Sequence, residues 1–140
     1  FTVSPELLVR TAEMAERLDV RLHTHLAENA EHDEFSLRMF GRRCVDQFAD
    51  VGWLTSRSWV AHCVMPNPDE VVRLGAAGVG VAHCPSSNMI LSSGIAPITA
   101  MRRAGMVRIV MRGSTGLGNV SRVYSGGMMK PTTHSPAFPA

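Results

Sequence analysis

Three short apolar segments of this sequence carry histidine at or near their ends, and histidine ring nitrogens can bind a metal ion or carry a proton. The segments cover residues 22–28, 59–63 and 79–85 and contain a His23-x-His25 pair, His62 and His83. Each is predicted to be a strand that follows a helical or mixed stretch. Binding and catalytic side chains gather at the carboxyl ends of parallel strands. The pattern, with Glu28 close behind the first pair, indicates a polar site that could hold a metal.

The residues alone leave a structural interpretation open beside the functional one. Zinc needs three or four converging donors, and the local sequence supplies at most two, in His23-x-His25. A histidine at a strand end is commonly a hydrogen-bonded core residue, and Glu28 could be an ordinary first-turn acid of a helix. His32 falls on a charged helical face and is predicted to be solvated.

Strand alternation sorts the reactive side chains onto faces of the predicted sheet. His23 and His25 share a face because they are two residues apart, while Leu22 and Leu26 take the other. The same rule groups the remaining histidines with valines: His62 with Val60, and His83 with Val79 and Val81. We expect these valines to face the lumen of the fold. Cys63 and Cys84 then point the opposite way, as small buried residues rather than ligands.

The spacing of apolar residues predicts the elements that position these side chains. Ser4-Pro5 is a helix start, and Asn29 and Gly41 bound a second helix over residues 30–40. Further helices are predicted over 44–51, 66–77 and 97–104, and strands over 20–26, 58–63, 79–83 and 106–111, with a polar loop at 85–88. Alternation of strand and helix predicts a parallel sheet covered by helices, the α/β class.

Composition excludes several classes of protein. The 140 residues are 45% hydrophobic and 19% charged, which is typical of a soluble globular core. No apolar run approaches the roughly 20 residues of a membrane helix, and no signal peptide is recognisable. Three cysteines without a CxxC pair favour a reducing compartment, hence the cytoplasm. A net charge of +2 gives no support for nucleic acid as a partner.

The charges divide the chain into two unequal parts. All twelve acidic residues lie at or before Glu70, and seven basic residues follow it. The parts of the chain on either side of Glu70 therefore invite separate treatment. The absence of an initial Met suggests that the chain begins within a longer protein.

Several blocks in order carry a resemblance to a known family. They are His23-Thr24-His25-Leu26-Ala27-Glu28, Asp50-Val51-Gly52-Trp53-Leu54, Ala61-His62-Cys63-Val64 and Val81-Ala82-His83-Cys84-Pro85-Ser86-Ser87-Asn88-Met89, then Ser93-Gly94-Ile95-Ala96-Pro97. Over residues 1–107 the chain resembles the amidohydrolase superfamily, in its chlorohydrolase/aminohydrolase branch with 8-oxoguanine deaminases and hydroxy-triazine aminohydrolases. The resemblance implies part of a (β/α)₈ TIM barrel, about strands five to seven with their helices. Because it ends near residue 107, we treat residues 1–107 as the partial barrel domain and 108–140 as a separate, irregular tail, with a change of reading frame as an alternative explanation.

The resemblance also implies roles for individual residues. His25 matches the histidine that binds the catalytic divalent metal, zinc or alternatively iron. Glu28 matches the glutamate that moves protons between the attacking water and the leaving nitrogen, and His62 the histidine that hydrogen-bonds that water or the substrate. Lesser roles in lining the pocket or shaping its loops fall to His23, His83, Ser87 and Asn88.

The implied reaction is hydrolytic deamination of a purine-like heterocycle, with 8-oxoguanine as the first choice. Alternatives are a hydroxy- or chloro-triazine hydrolase of the same family and a non-catalytic barrel domain. The implied partner is this small substrate, neither nucleic acid nor a membrane, and a homo-oligomer is left open for the full-length protein. The His-x-Glu and Pro-Cys-x-x-Cys pattern of cytidine deaminases is absent.

The sequence departs from the family pattern at both ends. The first-strand His-x-His metal pair is missing, and no aspartate follows Gly105, where the last-strand aspartate is expected. His25 is then the one family metal ligand securely present. We expect residues 1–140 alone to be inactive, weak in zinc binding and low in independent stability.

Overall fold

The computed structural model describes residues 3–106, 109–111 and 122–124. Five strands form one sheet in the order β1 to β5: Leu22–Leu26, Ser58–His62, Gly80–His83, Ile109–Met111 and Arg122–Tyr124. Six helices in this part of the chain are α1 Pro5–Arg17, α2 Ala30–Phe40, α3 Cys44–Asp50, α4 Pro68–Ala76, α5 Pro85–Ile90 and α6 Ile98–Arg103. The α/β class predicted from the sequence is confirmed.

The strands that carry the histidines are parallel, as the alternation of elements predicts. β1 pairs with β2, β2 with β3 and β3 with β4, all in the parallel sense. The register sets Leu26 opposite His62. The carboxyl ends of β1 and β2 therefore lie side by side, which is the placement a shared site requires.

Side-chain caps begin the helices where the sequence indicates them. Ser4 accepts a hydrogen bond from the Leu7 amide at the start of α1, and Asn29 accepts one from the His32 amide at the start of α2. α4 starts with a reciprocal capping box between Asn67 and Glu70. Each cap satisfies amide groups that a helix end otherwise leaves unpaired. These local signals are short-range, and the predicted starts of α1 and α2 are confirmed.

The main core lies between the sheet and the helices. Val60, Val79 and Val81 are 0–1% exposed and belong to one buried cluster with Leu74 of α4 and Met101 of α6. The expectation that these valines face the lumen is therefore wrong. The physical reason is that the helix-covered face buries the most apolar surface, so it takes the β-branched side chains.

Two further expectations about local structure are corrected. Residues 85–88 are not a loop but the first turn of α5, where Pro85 suits the first helical position because that amide has no helical partner. The region after residue 107 is not wholly irregular, since β4 continues the parallel sheet and β5 pairs with it antiparallel. Both short strands are rich in residues that favour strands. The rest of the predicted 108–140 tail lies outside the described residues.

Cys63 has the burial expected of an inert thiol, whereas Cys84 is only half-buried. Cys63 is completely buried in the core, and burial raises the pKa of its thiol to about 12. Cys44 and Cys84 are half-buried, and burial, with a hydrogen bond to Asp33, raises the pKa of Cys44 as well. Within the described ranges, no helix has the length and apolar character needed to cross a membrane.

Gly75 lets α4 and α6 touch, and its replacement tests that packing. A Cβ built on Gly75 would lie on the Ala104 carbonyl, which leaves no space for a methyl group. A helical Gly→Ala change usually stabilises by about 0.5–1 kcal/mol. We expect Gly75→Ala instead to lower the free energy of unfolding in urea by about 1–3 kcal/mol, because the helices must move apart.

The matched control for Gly75→Ala is Val72→Ala, an exposed position of the same helix. We expect this change to shift stability by no more than about 0.5 kcal/mol. A Gly75→Ala protein as stable as the parent would contradict the close contact.

Candidate active site

The site forms where β1 and β2 end. The rings of His25 and His62 stack there, with their centroids 4.9 Å apart. Strict alternation would place His62 on the face of Val60 and Leu26, away from His25. His62 escapes this rule because its backbone is left-handed, with φ of 66°, as is that of Cys63 at 49°. The turn at the end of β2 therefore brings the two imidazoles together.

Glu28 lies within reach of His62 on the neighbouring loop. Its Oε1 is 3.5 Å from Nε2 of His62, and both side chains are largely buried. The chain reaches this position through Ala27, which is also left-handed at φ 48°. The backbone amide of Glu28 donates to Nδ1 of His32 at 3.3 Å. His32, in the first turn of α2, thus holds the backbone of Glu28 in place.

Asn88 fixes the other side of the His62 ring. Nδ1 of His62 lies 2.8 Å from Oδ1 of Asn88, whose side chain is 1% exposed on α5. Because an amide oxygen only accepts, Nδ1 is the nitrogen that carries hydrogen. Nε2 is left to face Glu28. The arrangement gives His62 one fixed orientation and one nitrogen available for proton exchange.

Backbone hydrogen bonds tie the loop after β2 to the loop after β1. The Cys63 amide donates to the Leu26 carbonyl at 3.1 Å, and the Val64 and Met65 amides donate to the Ala27 carbonyl at 2.8 and 2.9 Å. Left-handed conformations at non-glycine residues are unfavourable and persist where their surroundings enforce them. These bonds supply part of that enforcement at the site.

The structure brings together three of the sequence-predicted residues around His62: His25, Glu28 and Asn88. His23 is exposed and stacks on Trp59, with ring centroids 3.6 Å apart. His83 ends β3, where burial lowers the pKa of its ring, and its buried Nδ1 has no hydrogen-bond partner in the described part of the chain. Ser87 is half-buried on α5.

His32 is a site residue that sequence reasoning missed. The prediction that it is solvated is wrong: it is half-buried, and burial lowers the pKa of its ring. Its contact with the Glu28 amide arises because residues 28 and 32 are four apart across a helix start. The signal was present in the sequence, in the Asn29 cap that fixes where the first turn begins.

The donor types at this edge fit a divalent metal in part. Imidazole nitrogen and carboxylate oxygen are the donors that zinc takes, and the exposed ring of His25 offers one of them. Among residues 3–106, no group of three or more His, Cys, Asp or Glu side chains is arranged to hold a metal ion. A metal at this edge would therefore need further ligands from outside this set.

Comparison with known proteins places this geometry in a family. A sequence profile described as the amidohydrolase family matches residues 1–131. An 8-oxoguanine deaminase of Pseudomonas aeruginosa is 52% identical over 105 residues, which is 75% of this chain and 23% of that protein. The chain belongs to the amidohydrolase family, whose fold is a TIM barrel. The relatives that it matches are hydrolases, among them this deaminase.

Two solved structures that resemble this chain contain zinc. Atrazine chlorohydrolase from Arthrobacter aurescens TC1, complexed with zinc, superposes with a TM-score of 0.74 at 33% identity, over 77% of this chain and 23% of that one. An adenosine deaminase from Xanthomonas campestris with bound zinc gives a TM-score of 0.74 at 31% identity, over 79% and 25%. The chain thus spans about a quarter of each relative.

The hydrogen bond between Asn88 and His62 can be tested by substitution. Asn88→Leu would leave the buried Nδ1 of His62 without an acceptor, which costs about 1–3 kcal/mol. We expect a corresponding loss in the free energy of unfolding. Met89→Ala, 73% exposed on the same helix, is the control and should change little. Equal stabilities of the two variants would contradict the contact.

Proposed function

We propose that the full-length protein containing this chain hydrolytically deaminates a purine-like heterocycle, with 8-oxoguanine as the first substrate to test. The observation that carries the proposal is the placement of Glu28 3.5 Å from His62, with His25 stacked on the same ring. The 52% identity to an 8-oxoguanine deaminase supports the choice of substrate. In the family barrel this segment would supply about strands five to seven.

Each residue of the group has a part that its geometry allows. Glu28 takes one proton from the attacking water and delivers it to the ring nitrogen. It then moves the second proton, from the hydroxyl now on the carbon, to the amine, so that the C–N bond breaks as the C=O bond forms. His62, held by Asn88, hydrogen-bonds the water or the substrate with its remaining nitrogen. His25, exposed at the end of β1, supplies a nitrogen ligand to the metal. The zinc in the related structures favours zinc here, with iron as the alternative.

A bound divalent metal would supply water activation, since such ions lower the pKa of their water to about 7. Of the described residues, His25 would be the metal ligand, while Glu28 and His62 lie beside it without binding the metal. The remaining ligands belong to other parts of the longer protein. His23, His83 and Ser87 are proposed to line or shape the substrate pocket around this group.

A triazine hydrolase is the second candidate, because the chain superposes on atrazine chlorohydrolase with the same TM-score as on the adenosine deaminase. The two are separated by product: ammonia from 8-oxoguanine, or chloride or amine from a triazine. Turnover of 8-oxoguanine with ammonia release supports the first proposal. Release from triazines alone would replace it, and absence of both would favour a non-catalytic barrel domain.

Glu28→Gln tests the proton-transfer role. The amide keeps the shape of the side chain but cannot accept and return a proton, so we expect turnover to fall by about 10²–10⁴. Glu31→Gln, exposed in the first turn of α2, is the matched control and should keep normal turnover. Near-normal turnover in Glu28→Gln would remove the assignment.

His25→Ala tests the metal role by a readout that does not need activity. We expect the purified full-length variant to lose bound zinc, measured as metal per chain, while Glu28→Gln keeps nearly all of it. Residues 1–140 expressed alone should neither bind stoichiometric metal nor release ammonia, because the described residues contain no group of three or more His, Cys, Asp or Glu side chains that could hold the metal. Full zinc occupancy in His25→Ala would show that the metal is held elsewhere.

A further inference from the structure

A group of charges centred on the half-buried Arg43, with its two carboxylate partners buried, takes no part in the proposed reaction. The Arg43 guanidinium donates from Nε to Oε1 of Glu70 at 2.6 Å and from Nη2 to Oε2 at 3.1 Å. The same Nη2 lies 2.6 Å from Oδ2 of Asp33. The Glu70 and Asp33 side chains are 3% and 10% exposed. A forked pair of this kind is geometrically specific as well as strong.

The group also holds the loop that follows His62. Nη2 of Arg43 donates to the Met65 carbonyl at 3.2 Å. Asp33 belongs to α2, which begins directly after the Glu28 loop, and its Oδ1 accepts from the Cys44 amide at 3.0 Å. One guanidinium therefore joins α2, α4 and the loop after β2. These are the elements that flank Glu28 and His62.

The loop needs such support because of its backbone. Ala27, His62 and Cys63 are all left-handed, which costs free energy for residues with a side chain. The Val64 and Met65 amides bind the Ala27 carbonyl, so the two loops form one unit. Arg43 anchors that unit to the helices from the Met65 side.

We propose that Arg43 is a positioning residue that locks the loop after β2 and so fixes the distance between His62 and Glu28. Its consequence for catalysis rests on the proposed function; its consequence for the loop does not. Arg43 touches neither Glu28 nor His62 and acts through the Met65 carbonyl and Asp33. Lysine cannot replace it, because an ammonium lacks the planar fork that serves all these acceptors.

Hydrogen exchange in the full-length protein tests the proposal without reference to activity. In Arg43→Lys we expect the peptide over residues 61–66 to exchange at least about tenfold faster, while the peptide over β3 changes by less than about twofold. Arg42→Lys is the matched control, since Arg42 makes an exposed ion pair with Asp50 and should alter neither peptide. Uniform acceleration over the whole protein, or no change at residues 61–66, would overturn the proposal.

A second variant guards against loss of folding in Arg43→Lys. Asp33→Asn keeps an oxygen for the Cys44 amide but removes the charge that faces Arg43, so it should give the same local effect in weaker form. If the enzyme deaminates 8-oxoguanine, Arg43→Lys should lower kcat by about tenfold or more with little change in KM. Selective loop opening in a protein without turnover would uphold the positioning role and reject the proposed function. If Arg43→Lys opens the loop selectively but leaves turnover unchanged, the proposed link between Arg43 and the spacing of His62 and Glu28 is overturned.

Discussion

The backbone at the end of β2 is the constraint on which the site depends. Parallel pairing sets His62 opposite Leu26, so a regular strand would direct its ring into the core with Val60. The left-handed turn at residues 62 and 63 reverses this, and the ring meets His25 and Glu28 instead. Hydrogen bonds from Cys63, Val64 and Met65 to the β1 side hold the turn in place. The chemistry proposed for this edge exists because that turn is made.

An apolar core and a set of polar contacts have different roles in this chain. On the helix side, valines and the large side chains of α4 and α6 form an apolar core. Its burial stabilises the sheet but does not fix the direction of any one side chain. Around the site, polar contacts dominate: Asn88 on His62, and Arg43 between the buried carboxylates of Asp33 and Glu70. Polar contacts of this kind specify geometry, because each buried group must meet its partner. The apolar core holds the strands together, and the polar contacts fix the orientation of the side chains at the strand ends.

The features that could be predicted from the sequence are those that short-range rules control. The caps at Ser4 and Asn29, the stop at Gly41 and the parallel strands follow from local preferences and alternation, and the structure confirms them. The individual roles of Glu28 and His25 came from a resemblance in ordered motifs, whereas the residues alone indicated only a polar site at the strand ends. The family match now supports that resemblance. The roles of individual residues, and the placement of the segment as strands five to seven, remain proposals.

What the sequence did not predict depends on long-range contacts or on a broken rule. Alternation grouped Val60 and Val81 with the histidines, and that face was wrongly assigned to the lumen, because which face the helices cover is set by long-range packing. The contact of Asn88 with His62 joins residues 26 apart in sequence, and that of Arg43 with Glu70 joins residues 27 apart. Neither pair has a local signature. His32 was missed for the opposite reason, since its partner Glu28 is only four residues away but its charged neighbours suggested exposure.

A crystal structure of the full-length protein with zinc and 8-oxoguanine, or an unreactive analogue of it, is the most direct test of the account. We predict zinc coordinated by His25, the heterocycle beside it, and Glu28 and His62 both directed at the carbon that bears the amino group. Zinc held by other residues, with the ligand away from the ends of β1 and β2, would contradict the account.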